Sequence, residues 1–204
     1  MEDKTSKEIK IIEENPKILN DYLEAVRDVD KDRIDSASKA LSVYIIRKVY
    51  KAIKVFYKND IFLLESKMNE MTVCGRLAMY LQDEFKDFKG YYVDIEYYRL
   101  KAPRKEANLR DGRIRCDILF HSRGAYNSRV DNLLAIEAKL EDNTDDGDKD
   151  RSRLADFVMP ETENTPEGAV HSTLVGLFLR FGKKCSVMRI SPVEDDVGIE
   201  DSES

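Results

Sequence analysis

An α/β fold is predicted for this chain by three observations. A helical apolar period runs through its first part, alternation of period two takes over at Gly90, and a further helical stretch lies between the later strands. The long helix is the clearest element. From Asp32 to Tyr57 the apolar residues Ile34, Leu41, Ile45, Val49, Ile53 and Phe56 recur at steps of three, four and seven, which puts them on one helical face. Before it, residues 7–13 and 17–29 carry shorter apolar stripes, parted at Asn15-Pro16. After it, Asn59-Asp60 interrupts, and one more helix is predicted from Phe62 to Phe85 with the stripe Glu70, Val73, Cys74, Leu77, Ala78 and Leu81. The segment YYVDIEYYR (91–99) alternates Val93, Ile95 and Tyr97 with Asp94, Glu96 and Tyr98, as a strand with two unlike faces does. RIRCDILFH (113–121) and NLLAIEAKL (132–140) are predicted as the second and third strands. DRSRLADFVM (150–159) is predicted as a helix stopped by Pro160, and STLVGLFLRF (172–181) and KCSVMRIS (184–191) as two last strands. The organisation expected is an N-terminal helical region over 1–60, an α/β sandwich over 61–193 and an acidic tail over 194–204 that lacks the apolar residues to fold.

With 42% hydrophobic residues and only 9 Gly and 5 Pro, the chain can build a core, which excludes a fibrous or low-complexity protein. No apolar run reaches the roughly 18 residues that span a bilayer, so no membrane partner is expected. The N-terminus is charged from its second residue, without a signal-peptide apolar stretch, and a cytoplasmic protein is expected. Cys74, Cys116 and Cys185 are odd in number and far apart, which points to a reduced compartment and to small core residues. His121 and His171 stand alone, so zinc is not expected. The net charge of −6 resides in the tail, whose six acids meet no base. Elsewhere Arg47 to Lys58 holds five bases and no acid, and Arg99 to Arg115 holds seven bases against two acids. Local stripes govern phosphate contact more than the total does. Arg47, Lys51, Lys54 and Lys58 share one face of the long helix, either a solvated face opposite the buried one or a stripe for phosphates.

The charged residues of the second and third strands carry the chemistry. If these strands form a hairpin, their loop is centred near residue 127, which sets Asp117 opposite Glu137. Alternation then puts Glu137 and Lys139 on one face and Ile136 and Ala138 on the other. Two carboxylates at close quarters among apolar neighbours repel each other and call for positive charge. A divalent metal with Lys139 would supply it; a plain salt-bridged patch is the competing reading. Glu70 lies on its helix's apolar stripe with Cys74, Leu77 and Leu81, where a carboxylate needs a partner, though it could equally be an acid of the first helical turn. The acidic loop at 142–148 superficially resembles a calcium loop, but the twelfth position holds Arg153 instead of Glu. Tyr91, Tyr92, Tyr97 and Tyr98 are expected as strand packing residues, with stacking on bases as the alternative.

From Glu70 to Ile190 the order of elements and the motifs resemble the PD-(D/E)xK, or restriction endonuclease-like, nuclease superfamily, including its uncharacterised bacterial members. RCD (115–117) stands where that family has x-Pro-Asp, with Cys116 for the proline, and EAK (137–139) fits Glu-x-Lys. NEMTVCGRLAMYLQ, VDIEYYR, DNLLAIEAKL and DRSRL add to the likeness, which covers about 120 of the 204 residues and leaves the first 60 unexplained. The resemblance implies a mixed sheet flanked by helices and a metal-dependent nuclease, an endodeoxyribonuclease acting on DNA. It implies Asp117, Glu137, the Ala138 carbonyl and Glu70 as ligands of Mg²⁺ or Mn²⁺, and Lys139 as the residue that orients or deprotonates the attacking water and steadies charge on phosphorus. Arg153, where relatives have Asp-x-x-Lys-Leu, is implied as a phosphate contact. Arg99, Lys101, Arg104, Lys105 and Arg110 are expected to hold nucleic acid beside the site. The rival readings are a catalytically silent member of the fold that binds nucleic acid, and a regulatory protein that assembles, for instance as a homodimer, through its N-terminal helices.

Overall fold

Asp30 and Asn69 set where two of the helices begin: each side chain accepts from a backbone N–H of the first turn, Arg33 at 3.1 Å and Thr72 at 2.8 Å. The structure, a computed structural model, describes residues 15–96, 98–100, 113–126, 128–143, 147–159 and 173–190. Helix α1 is Lys17–Arg27, α2 is Lys31–Asp60, α3 is the single turn Phe62–Glu65 and α4 is Glu70–Glu84. Strands β1 (Tyr92–Ile95), β2 (Tyr98–Leu100), β3 (Arg113–Arg115) and β4 (Ile118–His121) follow. After them come the short α5 (Ser128–Asp131), β5 (Asn132–Leu140), α6 (Asp148–Val158), β6 (Val175–Phe181) and β7 (Cys185–Ile190).

The fold is mixed α/β. Five strands form one open sheet in the order β1-β4-β5-β6-β7, and β2 pairs with β3 apart from it. The β5–β6 pairing is parallel, with α6 lying between the two strands in the chain, and the other pairings are antiparallel. Alternation divides β5 between two cores. Leu134, Ile136 and Ala138 join the larger one, which α1, α2 and α4 close with Leu19, Leu41, Ile45, Val49, Phe56, Val73 and Leu77. Ala135 joins the smaller one, made with Cys116, Leu119, Phe178 and the α6 residues Leu154 and Phe157. Residues 17–60 thus share a core with the sheet.

The structure departs from sequence expectation at several breaks. The helix expected over 62–85 is two helices, because the chain turns at Ser66 to Asn69 with Lys67 at φ +53° and α4 starts anew on its Asn69 cap. The strand expected over 91–99 divides at Glu96, which sits at φ +47° and donates its N–H to the Asp117 carbonyl at 3.0 Å. The strand expected over 113–121 divides opposite that point, at Cys116-Asp117, so β2 and β3 leave the main sheet as their own ribbon. Helix α6 begins at Asp148, two residues before the expected start, after Gly147 at φ +79°. The expected helix over 7–13, His171, the acidic tail, and Lys101, Arg104, Lys105 and Arg110 lie outside the described residues. Among the described residues no helix is long and apolar enough to cross a membrane.

The basic residues Arg47, Lys51, Lys54 and Lys58 are exposed on α2, opposite its buried stripe. Tyr91 is a packing residue: it is buried, donates to the Val130 carbonyl at 2.6 Å and stacks on Tyr126. Tyr92 is half exposed, with the Arg123 guanidinium over its ring at 4.3 Å. His121 is buried with Nε2 3.0 Å from Asp94, which ties β4 to β1. All three cysteines are free, with Cys74 and Cys116 buried and Cys185 partly so.

Candidate active site

The site grows from the pairing of β4 with β5. The register Ile118↔Ile136 and Leu119↔Ala135 is the one the centre of the hairpin predicts, and continued by one residue it sets Asp117 against Glu137. Asp117 stands just before β4, where the break in the strand frees its side chain to bridge to β5: one carboxylate oxygen accepts the Ala138 N–H at 2.8 Å. Asp117 lies near enough to Glu137 for its charge to act on that carboxyl. Glu137 and Lys139 share the α6 face of β5, and α6 turns Asp150 and Arg153 toward them.

A continuous chain of charge results. Arg153 holds Glu137 bidentately, with Nε and Nη2 each 2.9 Å from a carboxylate oxygen, and also donates to Asp150. Lys139 Nζ lies 2.9 Å from Asp150 and 3.3 Å from Glu70. Glu70, at the first position of α4, therefore reaches the cluster through Lys139 while standing in the first turn of its helix, so both sequence readings of it describe its place. The cluster sets the carboxylates of Glu70, Asp117, Glu137 and Asp150 against the cations of Lys139 and Arg153, an excess of negative charge in a mostly buried setting.

The titration behaviour follows from that excess. Glu137, 1% exposed, is pushed up to about 8 by burial and by repulsion from Asp117 and Asp150, against the pull of Arg153. Burial also raises Asp117, against the Ala138 hydrogen bond and the charges of Lys139 and Arg153. Glu70 is raised by burial and by Asp117, with Lys139 opposing. Burial alone would lower the Lys139 ammonium, but its hydrogen bond to Asp150 and the charge of Glu70 outweigh burial and raise it. The contacts with Asp150 and Glu70 thus favour the protonated form of Lys139.

Asp150 is the residue that sequence reasoning did not assign to the cluster. It is buried and joins both cations, and its signal was an acid one helical turn before Arg153 on the same face. Arg153, expected as a phosphate contact, pairs with Glu137. Of the expected nucleic-acid residues between the first strands, Arg99 falls in β2 and the rest lie outside the described residues. Beside the cluster a cleft of about 320 Å³ is lined by Glu70, Cys74, Ile95, Glu96 and Asp117. A larger cavity of about 800 Å³ touches the cluster only through Glu70 and lies over Ile61, Leu64, Leu140 and Phe181. Asp117 opens into the smaller one.

Among the described residues, no group of three or more His, Cys, Asp or Glu stands ready as a metal cage; Glu70 is gathered to Lys139 and not to Asp117 and Glu137 around a common point. The donor chemistry nonetheless suits a hard cation that keeps most of its waters and takes one or two carboxylates. Asp117 and Glu137 are adjacent and under-neutralised. A strand residue's N–H and C=O share one edge, so the Ala138 carbonyl lies on the same edge as the N–H that meets Asp117. The residues fit such an ion once Arg153 leaves Glu137. No family model, no curated protein and no solved structure matches this chain.

Proposed function

We propose that this chain is a metal-dependent nuclease of the PD-(D/E)xK kind, hydrolysing phosphodiester bonds in nucleic acid, with DNA as its substrate. The observation that carries the reading is the joining of Asp117 to β5 at Ala138, between Glu137 and Lys139, so that an Asp and a Glu-x-Lys segment belong to one buried cluster. A sheet with one parallel pair and helices on both faces is compatible with the restriction endonuclease-like arrangement. Asp117, Glu137 and the Ala138 carbonyl would hold Mg²⁺ or Mn²⁺, which when bound supplies Lewis-acid polarisation of the phosphate and a more acidic water. Glu70 adds negative charge at the rim and holds Lys139 from the far side. Lys139, fixed between Glu70 and Asp150, presents a protonated ammonium that orients the attacking water and donates to the phosphate oxygen on which charge grows. The cleft bordered by Ile95 and Cys74 would exclude bulk water from the side of Asp117.

One observation favours the silent binding module instead: Arg153 already donates to both carboxylate oxygens of Glu137. Incubating supercoiled plasmid with the protein in Mg²⁺, Mn²⁺ and EDTA separates the two. The nuclease reading expects nicking with either metal and none in EDTA; retention of plasmid without nicking in any buffer would leave the binding module standing.

A further inference from the structure

A metal taken by Glu137 competes with Arg153, because Arg153 already donates to both carboxylate oxygens and its charge repels a cation brought there. The displaced guanidinium has somewhere to stay. Its Nη2 also donates to Asp150, which is buried and held on its other side by Lys139 at 2.9 Å. Asp150 and Arg153 lie one turn apart on α6, and Leu154 and Phe157 root that helix in the smaller core, so the helix need not move for the side chain to swing. We propose that Arg153 is a built-in counter-ion of the metal-free site that competes with the metal for Glu137, with Asp150 as the pivot that keeps it at the site once it is displaced. The inference rests on the metal-dependent reading above and adds a regulated step to it: loading the metal and freeing a phosphate-binding guanidinium are one event. Without the metal, Glu137 is closed by Arg153 and the cluster binds substrate phosphate poorly. With it, the guanidinium hangs from Asp150 and the Nε–Nη2 edge that held Glu137 is free for phosphate.

Competition predicts a result that charge alone does not. Removing Arg153 should tighten metal binding, and the gain should vanish once Glu137 can no longer serve as ligand. Mn²⁺ binding is measured by calorimetry at one pH for the wild type, Arg153→Gln, Arg153→Lys, Glu137→Gln and the double variant Arg153→Gln/Glu137→Gln, with Arg151→Gln as a control for one charge lost from the same helix. A contact of the strength of a charge-assisted pair should shift the affinity about tenfold or more. The expected result is Mn²⁺ bound at least tenfold tighter by Arg153→Gln and to an intermediate degree by Arg153→Lys, which keeps charge but not the fork. Arg151→Gln should stay within about twofold of the wild type, and Arg153→Gln should add nothing in the Glu137→Gln background. Equal affinity in the wild type and Arg153→Gln overturns the competition while leaving the metal site intact. The same tightening in the Glu137→Gln background overturns it too, by showing a general charge effect. Absence of Mn²⁺ binding from every protein overturns the metal-dependent reading along with it. If Arg153→Gln does not fold, as judged by circular dichroism, the Arg153→Lys pair carries the comparison.

Discussion

The two faces of β5 are built from the same nine residues and do opposite work. On one face Leu134, Ile136 and Ala138 disappear into a core shared with three helices, where aromatic rings fill the space. There Phe120 stacks on Phe85 at 4.1 Å and meets Phe88 edge-on at 5.4 Å. On the other face Ala135 meets a core of a few residues, and beyond it Glu137 and Lys139 stand in a network whose carboxylates outnumber its cations. Burial stabilises on the first face, whereas on the second each ionised group is desolvated and only its partners hold it. A strand with this division lets an unfavourable cluster be held rigidly by a favourable one, one residue out of phase with it.

The sharpest way to break the comparison is to remove one group from each face. On the charged face, Lys139→Ala should lower plasmid cleavage by about a hundredfold or more while DNA affinity changes little, since the ammonium acts in the chemical step. Single-turnover cleavage with filter binding measures both, and unchanged cleavage would sink the mechanism. On the apolar face, Phe120→Ala should cost about 3–5 kcal/mol of stability, because a fully buried ring leaves a cavity that its stacked neighbours cannot close. Urea unfolding measures that, and a loss under about 1 kcal/mol would mean that this core repacks freely.

The apolar face was the legible one. The period of α2 in the sequence named Ile34, Leu41, Ile45, Val49, Ile53 and Phe56; the last five are buried and Ile34 is partly so. The β4–β5 register was also legible, because a hairpin's pairing follows from the centre of its loop and two-residue alternation then fixes which side chains share a face. The breaks were not. Alternation continues through Glu96 and through Cys116-Asp117, so nothing in the pattern marks where the chain leaves the sheet; the turn at Glu96 is made by a non-glycine residue held at positive φ. The break before α4 did carry a signal, the polar residues Glu65, Ser66 and Lys67 and then Asn69 followed by an acid, which the expectation of one helix overran. The contact of Arg153 with Glu137 lay furthest from sequence reach. Its partners are sixteen positions apart on different elements, and the rotation of α6 that joins them is set by the packing of Leu154 and Phe157.

A change of pH acts on the charged face and spares the other. Below the ordinary glutamate value of 4.5 both the folded and the unfolded chain carry a proton on this side chain, and above about 8 neither does. Between those values the folded chain holds a proton that the unfolded chain has lost, so stability in EDTA should fall as pH rises through the window. The change should be on the order of 2 kcal/mol, because relaxation and water entry soften the cost of the ionised form. Glu137→Gln should flatten this slope, whereas Phe120→Ala should lower stability equally at every pH; denaturant melts at several pH values in EDTA check both. A wild-type slope that survives Glu137→Gln would assign the proton to another group.

The smallest expected effect concerns Glu70, where the two faces meet, and its sign is more telling than its size. Glu70 stands at the start of α4, whose later residues pack on the apolar face, yet its carboxylate reaches around to Lys139 on the charged one. Its proton affinity is raised by burial and by the nearby Asp117 charge, with Lys139 opposing. Raised affinity means that the neutral form suits the folded chain better than the ionised form does. Glu70→Gln, neutral and of the same shape, should therefore raise stability in EDTA by a few tenths of a kcal/mol, the size that a partly exposed pair allows. In Mg²⁺ the same change should lower metal affinity and cleavage several-fold, because it removes negative charge from the rim and loosens one of the two ties on Lys139. An acid serving only the first turn of its helix would behave otherwise: neutralising it loses a few tenths of a kcal/mol with or without metal, and cleavage is untouched. Thermal melts of the wild type and Glu70→Gln, each in EDTA and in Mg²⁺ and set beside cleavage rates, distinguish the two. Destabilisation in both buffers with full activity would return Glu70 to the helix and leave the charged face to Asp117, Glu137, Lys139, Asp150 and Arg153.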